Sequence, residues 1–392
     1  KLEYEGEPLK YNDRTPTDPV AQLQHRLATG ETKLTFDDKF GYLPALLDEL
    51  KIPRASQMLV FSKTSLQRRF ISPENPRALF FNDDVYVGFI PGAPALEVSA
   101  ADPKLGGVFY RFENEQTPRP RFVRDQDCMQ CHGANRTLGV PGHFVRSIGT
   151  DQTGELEPQT EVGDIDQCTP LADRWAGFFV TGTHGAQTHR GNLIGAEAFA
   201  DAAREPNHLG NLTDLSRFFD VKKYPRPTSD IVALMVLEHQ AKMHNYITRL
   251  NYEAQIMTAT YGHTRYLKSQ VNAFLRYLLF TEETPLTAPV AGDAEYTKGF
   301  AALGPFDGKG RSLRDFDLKT RLFKYPCSFL IYSPAFDALP AAMREELLQR
   351  LHAILTGRDR DPQFAKLCDE DRRAILEILR ETKPNLPAYW RS

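Results

Sequence analysis

The chain has 392 residues, 41% hydrophobic and 25% charged, with a net charge of −3. These values suit two or three packed lobes around a sizeable core and exclude a disordered or fibrous chain. No charge-segregated tail and no apolar run of about 20 residues is present, which argues against nucleic acid or an anionic membrane as partner and against a transmembrane segment.

The chain starts at Lys1 with no initiator Met and no apolar leader, so a processed form with its signal peptide removed is expected. Asp18-Pro19 opens a predicted helix, with Thr17 or Asp18 as cap, and Gly30 closes it. A short helix near Leu43–Leu50 follows. From Gln57 to Phe112 the pattern changes to β-rich runs, at Met58–Phe61, Ala78–Phe81, Val85–Phe89, Leu96–Val98 and Val108–Phe112. Gly133 to Pro227 is loop-rich, with one apolar strand at Phe178–Val180. A strong helix is then predicted from Ser229 to Thr260, with Val232, Val236, His239, Met243, Tyr246 and Leu250 on one face and Gly262 as its stop. A second helix, Arg265–Phe280, is expected to fold back on it. Further helical patterns lie at Tyr296–Ala302, Leu313–Phe323, Pro340–Leu355 and Asp361–Glu381.

Strands gather early and helices late, so the expected class is α+β. Three regions follow: a strand-rich N-terminal lobe (1–125), a loop-rich segment (126–227), and a helical C-terminal region (228–392) that packs on that segment.

The most specific motif is Cys128-Met129-Gln130-Cys131-His132. Cys-x-x-Cys-His is the attachment pattern for a c-type haem, in which two thiols bond covalently to the porphyrin and the adjoining histidine is the proximal iron ligand. With five Cys and ten His in the chain, chance would produce it on the order of once in a thousand chains. One covalently attached haem c, held by Cys128, Cys131 and His132, is therefore expected. Cys168, Cys327 and Cys368 remain; two of them could pair in an oxidising compartment, with free buried thiols as the equal alternative. Covalent haem attachment and a removed signal peptide together point to a periplasmic or otherwise exported protein. No Walker loop, His-Glu-x-x-His, Gly-x-Ser-x-Gly or dinucleotide fingerprint accompanies the motif.

The stretch Cys131-His132-Gly133-Ala134-Asn135…Gly139-Val140-Pro141-Gly142-His143 resembles class I cytochromes c, where a Gly-Pro-containing turn braces the proximal histidine. Class I domains then supply a methionine to the other haem face some tens of residues later. Here the first Met after His132 is Met235, so a compact class I fold is not expected. The whole chain resembles a group of large exported monohaem cytochrome c proteins. That likeness rests on Phe81-Asn82-Asp83-Asp84-Val85-Tyr86-Val87-Gly88, Val140-Pro141-Gly142-His143, Thr181-Gly182-Thr183-His184-Gly185, Glu238-His239 and Leu313-Arg314-Asp315-Phe316-Asp317-Leu318. It implies one continuous unit and carries no mechanism.

The ligand on the far side of the iron separates the possible functions. His239 is the first candidate, because Met235 and Met243 at minus and plus four share its helix face. Met243 is a weaker candidate, and so are His184 and His189, in a glycine-flanked loop after the Phe178–Val180 strand. The bland alternative is that these are core or turn residues. His143 is read as structural or as a propionate partner, and His244 as a flanking residue. Arg119, Arg121, Arg124, Arg136 and Arg146 are candidates for propionate pairing.

The expected function is a monohaem c-type cytochrome that transfers electrons, with a redox partner protein. The alternatives are a haem enzyme with an open distal face (peroxide, nitrogen-oxide or small-molecule oxidoreduction), a haem-bearing subunit of a larger assembly, and a sensor.

Overall fold

The computed structural model describes residues 3–391. It is 39% helical and 13% strand, with an antiparallel sheet in the N-terminal half and helices in the C-terminal half, an α+β arrangement unlike a small compact cytochrome.

The chain opens with α1 (Pro19–Thr29) and α2 (Leu43–Glu49). Asp18 caps α1 by accepting from the Val20 and Ala21 amides at 2.8 and 3.0 Å. Pro19 stands where the missing N–H costs nothing, and Gly30, at φ 77°, ends the helix. Strands β1 (Met58–Val60), β2 (Arg77–Phe81), β3 (Val85–Phe89), β4 (Ala95–Asp102), β5 (Gly106–Glu113) and β6 (Phe122–Arg124) follow. After them come the short helix α3 (Met129–His132), a two-stranded ribbon of β7 (Val145–Ser147) and β8 (Gly163–Ile165), and β9 (Phe178–Phe179). Among the described residues the main sheet has seven strands in the order β6-β5-β4-β3-β2-β1-β9, all antiparallel. Segment 126–227 thus supplies one edge of the sheet whose other strands lie within 1–125.

The two sheet faces bury separate cores. Leu59, Phe80, Val87, Val98, Val108 and Phe112 point to the side covered by Val20 and Leu23 of α1 and Leu43, Leu46 and Leu47 of α2. Full burial of each such side chain contributes about 1.5–3 kcal/mol. Met58, Val60, Phe81, Tyr86 and Phe178 point to the opposite side, where the helical half packs.

That half comprises α4 (Gly195–Arg204), α5 (Ile231–Tyr261), α6 (Lys268–Leu278), α7 (Ala294–Ala302), α8 (Pro334–Asp337), α9 (Ala341–Leu355) and α10 (Asp369–Thr382). Asp230 caps α5 through the Ala233 amide, and Gly262, at φ 74°, terminates it. α6 returns along α5, so that Tyr246 meets Tyr277 and His239 meets Phe280. The spacing of apolar residues suggests one buried stripe on α5. The helix is instead buried over most of its circumference, because it lies between the sheet and the later helices.

Two predicted elements are corrected: the helix expected over Asp361–Glu381 begins only at Asp369, after a 3-10 turn at Pro362–Phe364. Leu313–Phe323 forms turns, with Phe316 bridged to Phe323, and not a helix. Its aspartates capture backbone amides: Asp317 accepts from Lys319 and Thr320 at 2.7 Å each, and Asp315 accepts from Ser312 at 3.0 Å. Such local bonds compete directly with helical ones.

Candidate functional site

Cys128 and Cys131 sit on the single turn of α3, with Cys128 at its N-cap and His132 as its last residue. The His132 amide donates to the Cys128 carbonyl at 3.0 Å, closing that turn. Both thiols are free; Cys131 is exposed and Cys128 half-buried. Burial, with Asp125 and Glu97 behind it, pushes the Cys128 thiol up to about 12.

The turn is anchored from below. Tyr4 donates through its hydroxyl to the Gly133 carbonyl at 3.3 Å, and a Cβ on Gly133 would come within 2.0 Å of that hydroxyl. From the other side, Pro141-Gly142 folds back on His132. The Gly142 amide donates to the His132 carbonyl at 2.9 Å, and Nδ1 of His132 bonds the Gly142 carbonyl at 2.9 Å. That bond fixes Nδ1 as the protonated nitrogen and leaves Nε2 as the lone-pair nitrogen. Nε2 makes no hydrogen bond to the described residues.

The ring of His132 lies between Phe109 (centroids 4.7 Å apart) and Phe144 (5.1 Å). Burial lowers its pKa to about 4, with Arg77 adding to the shift and Glu97 opposing it. The imidazole is neutral at pH 7, as a metal ligand must be.

His143 and Asn245 hold the Pro-Gly turn. Asn245, fully buried on α5, accepts from the His143 amide at 3.0 Å and donates to the His143 carbonyl at 2.6 Å. The His143 ring lies over Tyr86 at 4.3 Å, and its Nε2 bonds Ser99 Oγ at 2.8 Å. Further along α5, Arg249 donates to the Leu138 carbonyl at 2.6 Å and Tyr252 to the Leu105 carbonyl at 2.6 Å. One helix face therefore grips both the loop after α3 and the start of β5. Gly142 must be glycine here, since a Cβ would stand 2.0 Å from Asn245 Oδ1.

The other candidate ligands lie apart from His132. His239 is fully buried, with Nδ1 bonded to Gln167 Oε1 and Nε2 to Ser328 Oγ at 2.8 Å, so neither nitrogen is left over. Its ring stacks on Tyr277 and Phe280. Met243 is fully buried in the helical core. His184 and His189 are brought together in their loop, with ring centroids 4.8 Å apart, and His189 packs on Trp175. His184 bonds the Gln187 carbonyl through Nδ1 at 2.6 Å, and His189 Nδ1 accepts from the Gly191 amide at 3.0 Å. His244 Nε2 bonds the Asp83 carbonyl at 2.7 Å.

Of the arginines, Arg136 pairs with Asp164 and Glu161, Arg146 pairs with Glu161, and Arg124 donates to the Arg14 and Tyr11 carbonyls. Arg119 and Arg121 are exposed. Cys168, Cys327 and Cys368 are free thiols. Among the described residues no group of three or more His, Cys, Asp and Glu side chains is arranged to hold a bare metal ion.

The donor set at α3 fits a c-type haem on chemical grounds: two thiols one helical turn apart, and a neutral imidazole with one nitrogen fixed and the other unpartnered. Asn245 and Ser99, which position that set, were missed in the sequence. Asn245 stands among Lys242, His244, Thr248 and Arg249, so neither it nor Ser99 was marked by its neighbours. No protein family, no curated protein and no solved structure matches the chain.

Proposed function

We propose that the chain is a monohaem c-type cytochrome, with haem c bound through Cys128 and Cys131 and His132 as proximal ligand, that exchanges single electrons with a partner protein in the periplasm or another exported compartment. The observation that carries this reading is the pairing of His132 Nδ1 with the Gly142 carbonyl beside two free thiols on one turn. The haem would supply the one-electron couple. The residues around it bind and orient. Gly142 sets the tautomer of His132, Asn245 and Ser99 hold the turn that carries Gly142, and Phe109 and Phe144 shield the ring from water.

A second reading is a haem protein that binds a small ligand or peroxide at the iron. It is favoured by the engagement of both ring nitrogens of His239 and by the burial of Met243 in the helical core.

Expression in a host able to attach haem covalently tests the shared premise. The expected product carries one haem that survives acid-acetone extraction and is reversibly reduced by dithionite, and the covalent haem is lost when Cys128→Ala and Cys131→Ala are combined. A chain that emerges without haem sinks both readings. Addition of carbon monoxide to the reduced protein then separates them: an unchanged spectrum favours the electron carrier, and a shifted one favours the ligand-binding protein.

A further inference from the structure

On the sheet face where the helical half packs, one part is uncovered, and it adjoins α3. The cross-strand row Tyr86–Ser99–Phe109 is covered, His143 lying over its first two residues and His132 over the third. The next row, two residues further along β4 and β5 and so about 7 Å away, is Glu97–Arg111–Val123. Its Arg111–Val123 end is open: Val123 is 50% exposed and Arg111 makes, among the described residues, only a solvent-facing pair with Glu113, while Glu97 is held by Arg77 at 3.0 Å and by Ser65. Beyond this row runs a strap, in which Ser65 Oγ donates to Glu97 and Gln67 exchanges bonds with the Ala95 backbone. Between them Leu66 is 63% exposed, an aliphatic side chain held outward over a sheet edge.

His132 is aimed along this direction. Gly142 lies over Gly107, where an added Cβ would meet the Gly142 amide nitrogen at 2.9 Å, and His132 Nδ1 points back to Gly142. With the ring resting on Phe109, the opposite nitrogen, Nε2, is directed away from Gly107 and toward the Glu97–Arg111–Val123 row. A haem bound through Nε2 would therefore have that row at its edge and the strap on the side away from His132.

We propose that the haem attached at Cys128 and Cys131 stands on the open Arg111–Val123 end of this row, with Arg111 at a propionate and Leu66 on the side opposite His132. This rests on the covalent haem shared by both readings above and, between them, points to the ligand-binding one. The exposed Arg111–Glu113 pair is worth little in water, so its guanidinium is available to a carboxylate. Neither the strap from Ser62 to Ile71 nor the row contains a histidine or methionine, so the far side of the iron meets an aliphatic side chain and is open to a small ligand.

The test uses the holoprotein with its covalent haem. Wild type is expected to be high-spin and to bind carbon monoxide. Leu66→His is expected to convert the iron to low-spin and to abolish carbon monoxide binding. Val123→His, at the haem edge, is expected to leave it high-spin. In the reduced carbon monoxide complex, methyl proton resonances that vanish in Leu66→Ala and Val123→Ala should lie upfield of the ordinary aliphatic range, shifted by the porphyrin ring current. Haem attached with both methyl sets at ordinary positions overturns the placement while leaving the haem-c reading intact. So does a low-spin wild type indifferent to carbon monoxide. A chain that takes up no haem defeats the underlying reading instead. Leu66 and Val123 are surface side chains, so these variants keep the folded core.

Discussion

His132 and His239 are both imidazoles set among aromatic rings and kept neutral by burial, with pKa values lowered to about 4 and about 3. They differ in how their nitrogens are used. His132 spends Nδ1 on a backbone carbonyl and makes no hydrogen bond through Nε2 to the described residues. His239 spends both, on Gln167 and Ser328. Around His239 the polar groups continue as a closed network: Gln167 donates to the Tyr277 carbonyl, its own carbonyl accepts from Arg174, and Arg174 pairs with Glu238, which also accepts from Trp175. His239 is fully buried and His132 half-buried, so exposure already separates them in part. The use of the ring nitrogens separates His132 from His239 further, and His184, with Nδ1 on the Gln187 carbonyl and a buried Nε2 that has no partner among the described residues, shares the pattern of His132.

The sharpest way to break this comparison is to open the closed network. Glu238→Ala leaves the Arg174 guanidinium buried and unpaired, and should cost about 3–5 kcal/mol in urea unfolding. The visible spectrum of whatever folded protein remains should not move, because the network shares no residue with the surroundings of His132. Asn245→Ala comes next. It strips two hydrogen bonds from the buried His143 backbone and should cost about 2–3 kcal/mol. Unlike Glu238→Ala, it should alter the haem spectrum, since the turn that presents Gly142 to His132 loosens. A silent spectrum would mean that α5 does not position the candidate site.

His239→Leu should cost about 2 kcal/mol at neutral pH, from the partners stranded on Gln167 and Ser328, with the spectrum unchanged. A conversion from low-spin to high-spin would instead make His239 an iron ligand. Its pH dependence has a definite sign. The folded pKa, about 3, lies below the ordinary 6.5, so between these values the unfolded chain binds the extra proton. The stability that His239 contributes is complete above pH 6.5 and is lost as pH falls toward 3. Wild type should therefore lose its advantage over His239→Leu as pH falls from 7 and be the less stable of the two at pH 4. A wild-type advantage that grows on acidification would show that this imidazole is charged in the folded state.

Local features of the fold were legible where one residue dictates the backbone. The Asp18-Pro19 start and Gly30 stop of α1, and the Gly262 stop of α5, stand where their chemistry requires. Short strands were recognisable from Met58 to Glu113 because β-branched and aromatic residues alternate between turn residues. Turns over Leu313–Phe323 were read as helix because periodicity records apolar spacing and not the capture of amides by Asp315 and Asp317. At the candidate site the attachment motif and the Pro-Gly turn are local in sequence and were readable. The partners of His143, Ser99 and Asn245, stand 44 and 102 residues from it, and nothing local marks such pairings. The apolar stripe that singled out His239 was real as burial, but a stripe carries no information about what each ring nitrogen meets.

The smallest effect expected is that of Ser99→Ala, and it can be made the most discriminating. Removing the hydroxyl leaves His143 Nε2 without its 2.8 Å partner, between Tyr86 and Phe109, and should cost about 1 kcal/mol. Ser99 and Asn245 both act on His143, one through the ring and the other through the backbone. Once Asn245→Ala has freed the turn, His143 no longer depends on Ser99 for its place, and the double variant should lose less than the sum of the single losses. Ser99→Ala combined with His239→Leu should instead be additive within about 0.5 kcal/mol, because the two sites share no partner. Additivity in both pairs would mean that His143 does not couple the sheet to α5. Coupling in the second pair but not the first would place His239 and the candidate site in one unit, and the contrast between the two histidines would fail.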